Sequence, residues 1–321
     1  MGKPLAGWAG VVAAVAAALI ASAVALGREP GGERPAVCTG GLLSPGESLQ
    51  GFVDSLKPGE TGCLRAGTYA GGVDLRTPDI TLRSSPGKKV TIRGGQVRIS
   101  PPAIGATLKN LRLVSDQFSP LIYASHAVLS GSEVTNHNTS ICVLIDRYPG
   151  TRAPRKVRIE HNRIHDCGEL PPGNHDHGIY VDEARETVIR ENLIYDNADR
   201  GVQLYPDAQG TRVIRNVIDS NGEGIIFGDA SDGSRVRHNI ISNSLERHNV
   251  ESSGSTAIDN IVRDNCLWSA RTDYYGGDPP NSGVNPDIGF IAYGNVIADP
   301  SFTDRTRFEP APGTPCAGFG R

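Results

Sequence analysis

Basic charge is not in surplus in this sequence: 32 Lys and Arg stand against 35 Asp and Glu, for a net charge of −3. A surface built to hold a phosphate backbone is not expected from that balance, which argues against nucleic acid as a partner. A local Arg or Lys cluster would still suffice for an acidic polysaccharide. Aromatic residues are scarce at 6%, whereas glycine reaches 39 residues. That composition suits many short strands joined by tight turns better than a helical bundle. No Cys-x-x-Cys pair occurs, so zinc and thioredoxin-type redox chemistry find no support. No second long apolar run follows the first 26 residues. What is present, 38% apolar and 21% charged residues over 321 positions, is globular and sufficient for one large domain or two ordinary ones.

Lys3 is the only charge before Arg28, and an Ala/Val/Leu run of about 22 residues lies between them. It reads as a secretory signal with Ala23-Val24-Ala25 as a small-x-small cleavage site, and its length also allows an uncleaved membrane anchor. The expected organisation is a signal or anchor at 1–26, a linker at 27–37 rich in Gly, Glu, Arg and Pro, and one domain over 38–321. Either way the domain lies outside the cytoplasm, secreted or anchored. The six cysteines agree, since an even number in an exported chain points to disulfides.

The tripeptide Asn-x-(Ile/Val) recurs at Asn162, Asn192, Asn216, Asn239 and Asn260. Short alternating strands precede most copies, as in Val157-Arg158-Ile159 and Val213-Ile214-Arg215. Gly-led strands follow, as in Gly178-Ile179-Tyr180-Val181-Asp182 and Gly201-Val202-Gln203-Leu204-Tyr205. Apolar residues fall at every second position, and no 3.6-residue period is seen. One such unit cannot bury its apolar face, but stacked units share a core. The chain is therefore expected to be an all-β, right-handed parallel β-helix, a solenoid with a loop-rich C-terminal cap. The Asn residues then fall at one bend and form an amide ladder, a scaffold role rather than a catalytic one. In such a coil, neighbours in sequence are neighbours in space. Cys38–Cys63, Cys142–Cys167 and Cys266–Cys316 are the expected pairs.

The Asn-rich repeat resembles that of the pectate-lyase-like superfamily. Leu56-Lys57-Pro58-Gly59-Glu60 with Leu64-Arg65-Ala66-Gly67-Thr68-Tyr69 is similar to its opening coil. Asp299-Pro300-Ser301-Phe302 and Pro312-Gly313-Thr314-Pro315-Cys316 are similar to its closing segment. The resemblance spans about residues 42 to 318 and implies the fold; the fold itself hosts lyases, hydrolases, epimerases and inert binding proteins.

Alternation predicts the outward side chains of the Gly-led strands: Leu144 and Asp146, Tyr180 and Asp182, Gln203 and Tyr205, Ile226 and Gly228, Asn249 and Glu251. Beside them lies the polar cluster Asn174-His175-Asp176-His177, with Asp199 and Arg200, Glu223, and Arg247 with His248 on the same edge of later coils. A His beside a carboxylate suits a general base, and an Arg suits a uronate carboxylate. The leading expectation is a lyase or epimerase for an acidic polysaccharide. In it His175 or His177 acts as base and Arg200 faces the substrate carboxylate. Tyr180, Asp182 and Tyr205 contact sugar, and Asp146, Gln203, Glu223, Asn249 and Glu251 extend the binding face. A glycoside hydrolase would instead rest on Asp146 and Asp182. A non-catalytic, glycan-binding or structural module of the cell surface is the third alternative. No metal is assigned to His175 and His177, which lack a third ligand. No other cofactor is expected. Ca²⁺ enters only through the resemblance, and no compact Asp cluster stands out for it. The partner is a polysaccharide or cell-surface glycan, a membrane is met only through an N-terminal anchor, and the protein is expected to be a monomer.

Overall fold

The computed structural model describes Gly2 and residues 37–254, 258–285 and 289–321. The expected signal or anchor at 1–26 and linker at 27–37 fall, Gly2 and Val37 apart, outside the described residues. Among the described residues no helix is long and apolar enough to cross a membrane. Val37–Arg321 is one compact unit.

The chain visits three parallel sheets in turn, so that each strand pairs with the strand one coil earlier and one coil later. The sheets hold 11, 10 and 8 strands. The first runs through Arg158–Glu160, Val188–Arg190, Arg212–Ile214, Arg235–Arg237 and Ile261–Arg263. The second runs through Arg163–His165, Leu193–Tyr195, Val217–Asp219, Ile240–Ser242 and Cys266–Trp268. The third runs through Val143–Ile145, Ile179–Val181, Arg200–Leu204, Glu223–Gly228 and Val250–Ser253. Inward residues such as Ile159, Ile189, Val213, Ile179, Val202 and Ile225 are fully buried in one continuous core. The one α-helix among the described residues, Leu49–Ser55, is capped by the Ser48 hydroxyl and buries Leu49 and Val53 against the first coils.

The bend between the first and second sheets carries the amide ladder. Asn162, Asn192, Asn216, Asn239, Asn265 and Asn295 stack, each Oδ1 accepting the backbone N–H and Nδ2 of the previous member at 2.8–3.0 Å. The free Nδ2 hydrogen bonds a core carbonyl, as Asn216 does to Ile189 O at 2.9 Å. The residue before each Asn takes a left-handed conformation that turns the chain: His161, Glu191, Arg215, His238 and Asp264 have φ between 53° and 58°. Asn260 was expected in this ladder and is not in it. It precedes the first-sheet strand Ile261–Arg263, and its Oδ1 accepts from Ser234 N at 2.9 Å. Asn265 holds the ladder position.

All three expected disulfides are formed. The C-terminal segment, expected as a loop-rich cap, lies along the side of the solenoid. Residues 298–321 hold no strand and pack Phe302, Phe308 and Phe319 against Leu193, Val217 and Ile240 on the outer face of the second sheet. Arg305 reaches buried Asp219 at 3.0 Å, and Cys316 ties the segment to Cys266.

Replacing Asn216 by Ala strands the Asn192 amide, its Nδ2 and the Ile189 carbonyl inside the core. At about 1–3 kcal/mol for each buried group left unsatisfied, Asn216→Ala is expected to lower unfolding free energy by about 3 kcal/mol or more. Urea denaturation measures it; a loss below about 0.5 kcal/mol, the level of an ordinary surface change, would contradict the ladder's role.

Candidate functional site

The outer face of the third sheet carries the site, and strand register decides what meets there. Leu144, Tyr180, Gln203 and Ile226 share one column. The ladder bonds continue past the strand ends, from Asp146 N to Ile122 O, Asp182 N to Ile145 O and Tyr205 N to Val181 O. Asp146, Asp182 and Tyr205 therefore form the second column on successive rungs, each about 4.8 Å apart. The glycines that lead these strands are required by close approach: a Cβ on Gly201 would stand 2.8 Å from Ile218 Cγ2.

Asp146 and Asp182 are the neighbouring carboxylates of this face. Both are half-buried. Partial burial, then the neighbouring Asp146 and Glu183 charges, push the Asp182 carboxyl up to about 7 from its ordinary value near 3.8. Burial and Glu183 raise Asp146 as well. Near neutral pH the Asp182 carboxyl is therefore partly protonated. Around it stand half-buried Tyr180, exposed Tyr205 and half-buried Tyr123. Burial and the two carboxylates raise the Tyr180 hydroxyl, which stays protonated as a donor. Tyr123 occupies the rung before Asp146 in the same column, and its ring meets Tyr148 edge-on at 5.2 Å. Sequence alternation missed it, although extending the second column one coil upstream, past the two-residue strand Leu121–Ile122, leads to it.

Two Pro-containing loop insertions, 147–156 and 168–177, border the strands of this face. The segment 168–177 is held by Asp199, whose carboxylate accepts the Asn174, His175 and Asp176 backbone N–H groups at 2.9, 2.7 and 2.7 Å. Asp199 is therefore an anchor for the insertion. His175 is exposed on it. His177 is 1% exposed beneath the edge of Tyr180, hydrogen-bonded to Gln203, with Nδ1 unpartnered. Burial and the Arg200 charge hold it well below the usual imidazole range, so it is neutral.

Four further expectations change. Arg200 was expected to face a substrate carboxylate, but it is 5% exposed and its fork is already used. Nε donates to Glu223 at 3.0 Å, one terminal nitrogen to Asn174 O and Gln203 Oε1, both at 2.9 Å, and the other to Asn174 Oδ1. Glu223 is buried between Arg200 and Arg247, the latter at 3.2 Å. Glu251 is buried on Arg247 and on His248 Nδ1, the latter at 2.6 Å. Register pairs Glu251 with Ile226, so Ser253 aligns with Gly228 and Asn249 falls outside the outward columns. Asn249 is fully buried, accepting from Ser244 and donating to Trp268 O and Ser282 O. Glu223, Glu251 and Asn249 are thus internal supports. Burial could not be read from alternation because these residues sit at the strand entrances, where the coils bend. Among the described residues no three His, Cys, Asp or Glu side chains gather as metal ligands.

A sequence model described as "Right handed beta helix region" matches residues 105–269, more than half of the chain. The chain belongs to this family. Solved right-handed β-helices share its architecture. The A-module of the mannuronan C-5 epimerase AlgE6 from Azotobacter vinelandii superposes with a TM-score of 0.53 and 13% identity, covering 81% of this chain and 88% of that one. Pectate lyase Pel9A gives a TM-score of 0.53 and 13% identity over 78% of this chain and 72% of that one. At that identity the likeness is one of fold. No curated protein sequence matches this β-helix.

Two outcomes follow for the site. The Asp182 carboxyl has a folded pKa above its unfolded one, so its relative stabilisation is complete below about pH 4 and is lost as pH rises through about 7. The melting temperature of Asp182→Asn, relative to wild type, should therefore climb between those values and level off above them. A pH-independent difference would show that Asp182 titrates normally. Arg200→Ala removes the buried cation of Glu223, leaving it only the part-exposed Arg247, and should cost about 3–5 kcal/mol of stability. Unchanged stability with lost glycan binding would return Arg200 to a substrate role.

Proposed function

We propose that this β-helix is an extracytoplasmic carbohydrate-active protein and that it hydrolyses a glycosidic bond across the outer face of the third sheet. The observation that carries this is the placement of Asp146 and Asp182 on neighbouring rungs of an open, tyrosine-lined sheet, with the Asp182 carboxyl raised to about 7. Side chains on adjacent rungs start about 4.8 Å apart, close to the roughly 5–5.5 Å carboxyl separation of double-displacement glycosidases. In that chemistry protonated Asp182 gives its proton to the leaving oxygen as the sugar C1–O bond breaks, and Asp146 attacks C1 to form a glycosyl ester. Water then attacks C1, loses its proton to Asp182 and releases Asp146. Tyr180 and Tyr205 supply hydroxyl contacts and ring surface for the sugar. Three disulfides support an oxidising compartment.

Elimination or C5 epimerisation of a uronate chain is the second possibility, favoured by the fold shared with an epimerase and a lyase. It requires a cation at the substrate carboxylate. Arg200, expected at that carboxylate, is buried, as is His177, one of the two expected bases; the other, His175, is exposed, and Arg147 beside the pair is tied to Glu183. The face around Asp146, Asp182 and Glu183 is acidic, which repels a polyuronate and favours a neutral glycan.

A polysaccharide panel assayed for reducing ends and for the ultraviolet absorbance of unsaturated uronates separates these. Reducing ends without absorbance are expected, falling at least about 100-fold in both Asp182→Asn and Asp146→Asn, the scale of losing general acid–base catalysis. Activity should decline as pH rises through about 7, where Asp182 loses its proton. An absorbance gain would establish elimination instead, and binding without either signal would identify a non-catalytic module.

A further inference from the structure

The face of the first sheet, away from the acidic pair, carries the opposite charge. Its register aligns Arg158, Val188, Arg212, Arg235 and Ile261 in one column. A second column aligns Glu160, Arg190, Ile214, Arg237 and Arg263. The residues between the columns, such as Ile159, Val213 and Val236, are buried in the core, so both columns point out. Acids neutralise part of the set. Glu160 pairs with Arg190 and Asp259 with Arg235, both at 3.0 Å; Asp264 pairs with Arg263, and Glu186 at the rim with Arg155 and Lys156. Among the described residues, Arg158, Arg212 and Arg237 make no ion pair within 4 Å, although the charge of Glu186, which lines the same furrow, also reaches Arg212. Two furrows, of about 680 and 200 Å³, meet at Arg212 and run past Arg158 on one side and Arg237 on the other.

We propose that this face, over residues 158–263, docks an extended anionic polysaccharide through Arg158, Arg212 and Arg237. The spacing comes from the coil: Arg158 and Arg212 stand two rungs apart, about 10 Å, and Arg237 one rung further. A run of guanidiniums at that interval matches repeated carboxylate or sulfate groups on a chain lying along the solenoid axis, each able to accept a bidentate pair. Val188, Ile214 and Ile261 lie between the cations and offer apolar surface to sugar rings. No aromatic side chain stands on either column between rungs 158 and 263, and single-stranded nucleic acid is held largely by base stacking on such rings. The oxidising compartment supported by the disulfides points the same way. The site is separate from the proposed catalytic face: the acidic pair handles the cleaved glycan, and the arginine columns hold the protein on an anionic matrix.

The test uses the full chain with both acids neutralised, Asp146→Asn with Asp182→Asn, so that no probe is consumed. Sodium polygalacturonate is the anionic probe, a neutral glucan the control, and single-stranded DNA the competing polyanion. The double-Asn protein should bind polygalacturonate as tightly as wild type, with affinity falling as salt rises. Adding Arg212→Glu and Arg237→Glu should weaken it at least about tenfold, while Arg212→Lys and Arg237→Lys retain most of it, as expected for charge complementarity. Melting temperatures of both sets verify folding. Affinity within about twofold after charge reversal would overturn the proposal, taken against that tenfold expectation. So would loss of binding in the double-Asn protein alone, or single-stranded DNA bound as tightly and lost with the same Glu variants.

Discussion

Side-chain amides bonded from coil to coil hold this molecule in register. Each ladder Asn satisfies the backbone N–H and the amide of its predecessor and sends its remaining hydrogen to a core carbonyl, so one residue closes three buried polar groups. The left-handed residues before them would each cost about 1–3 kcal/mol if unsupported, and they persist because the stack over-determines the bend. Parallel pairing then repeats at a constant rung spacing. Everything exposed inherits it: a residue type recurring on one strand position becomes a line of like groups. The paired carboxylates on the third sheet and the guanidinium column on the first are two consequences of one interaction.

Those two faces also explain why a net charge of −3 says little about partners. Charge is sorted by sheet. Carboxylates crowd one another where they are half-buried, which raises Asp182 towards neutrality. Arginines line the other face, where nearby acids satisfy some of them and leave others unpaired. A sum over the chain averages these away, whereas the register separates them.

The ladder and the alternation were legible in the sequence because both depend on local spacing. Asn162, Asn192, Asn216 and Asn239 fall where the repeat puts them, and Asp146, Asp182, Tyr180, Gln203 and Tyr205 face outward as alternation requires. The misplacements arise where spacing changes. Asn260 carries the same tripeptide, but it opens a first-sheet strand instead of a second-sheet one, because it stands one rung after Ser234 and not after Asn239. Asn249 and Glu251 slip by two residues for the same reason: the path from Ser242 to Val250 adds a turn that alternation cannot count. Burial at the entrances of the third sheet was not legible at all. Arg200, Glu223 and His177 look like surface chemistry in one dimension, and only the fold shows what covers them.

That covering has a physical logic of its own. Glu223 and Glu251 lie on successive rungs with Arg200, Arg247 and His248 around them, so the like charges that stacking forces together are each met by a cation. A stacked fold cannot avoid such rows; it can neutralise them, as at this sheet edge, or leave a carboxyl raised towards neutrality, as at Asp182. The first solution fixes the insertion that borders the face, since Arg200 holds Asn174 while Asp199 holds the next two amides. The second leaves a titratable pair within reach of solvent. Rigid neutralised charge beside a titratable pair is the division that lets one sheet be both support and open polar surface.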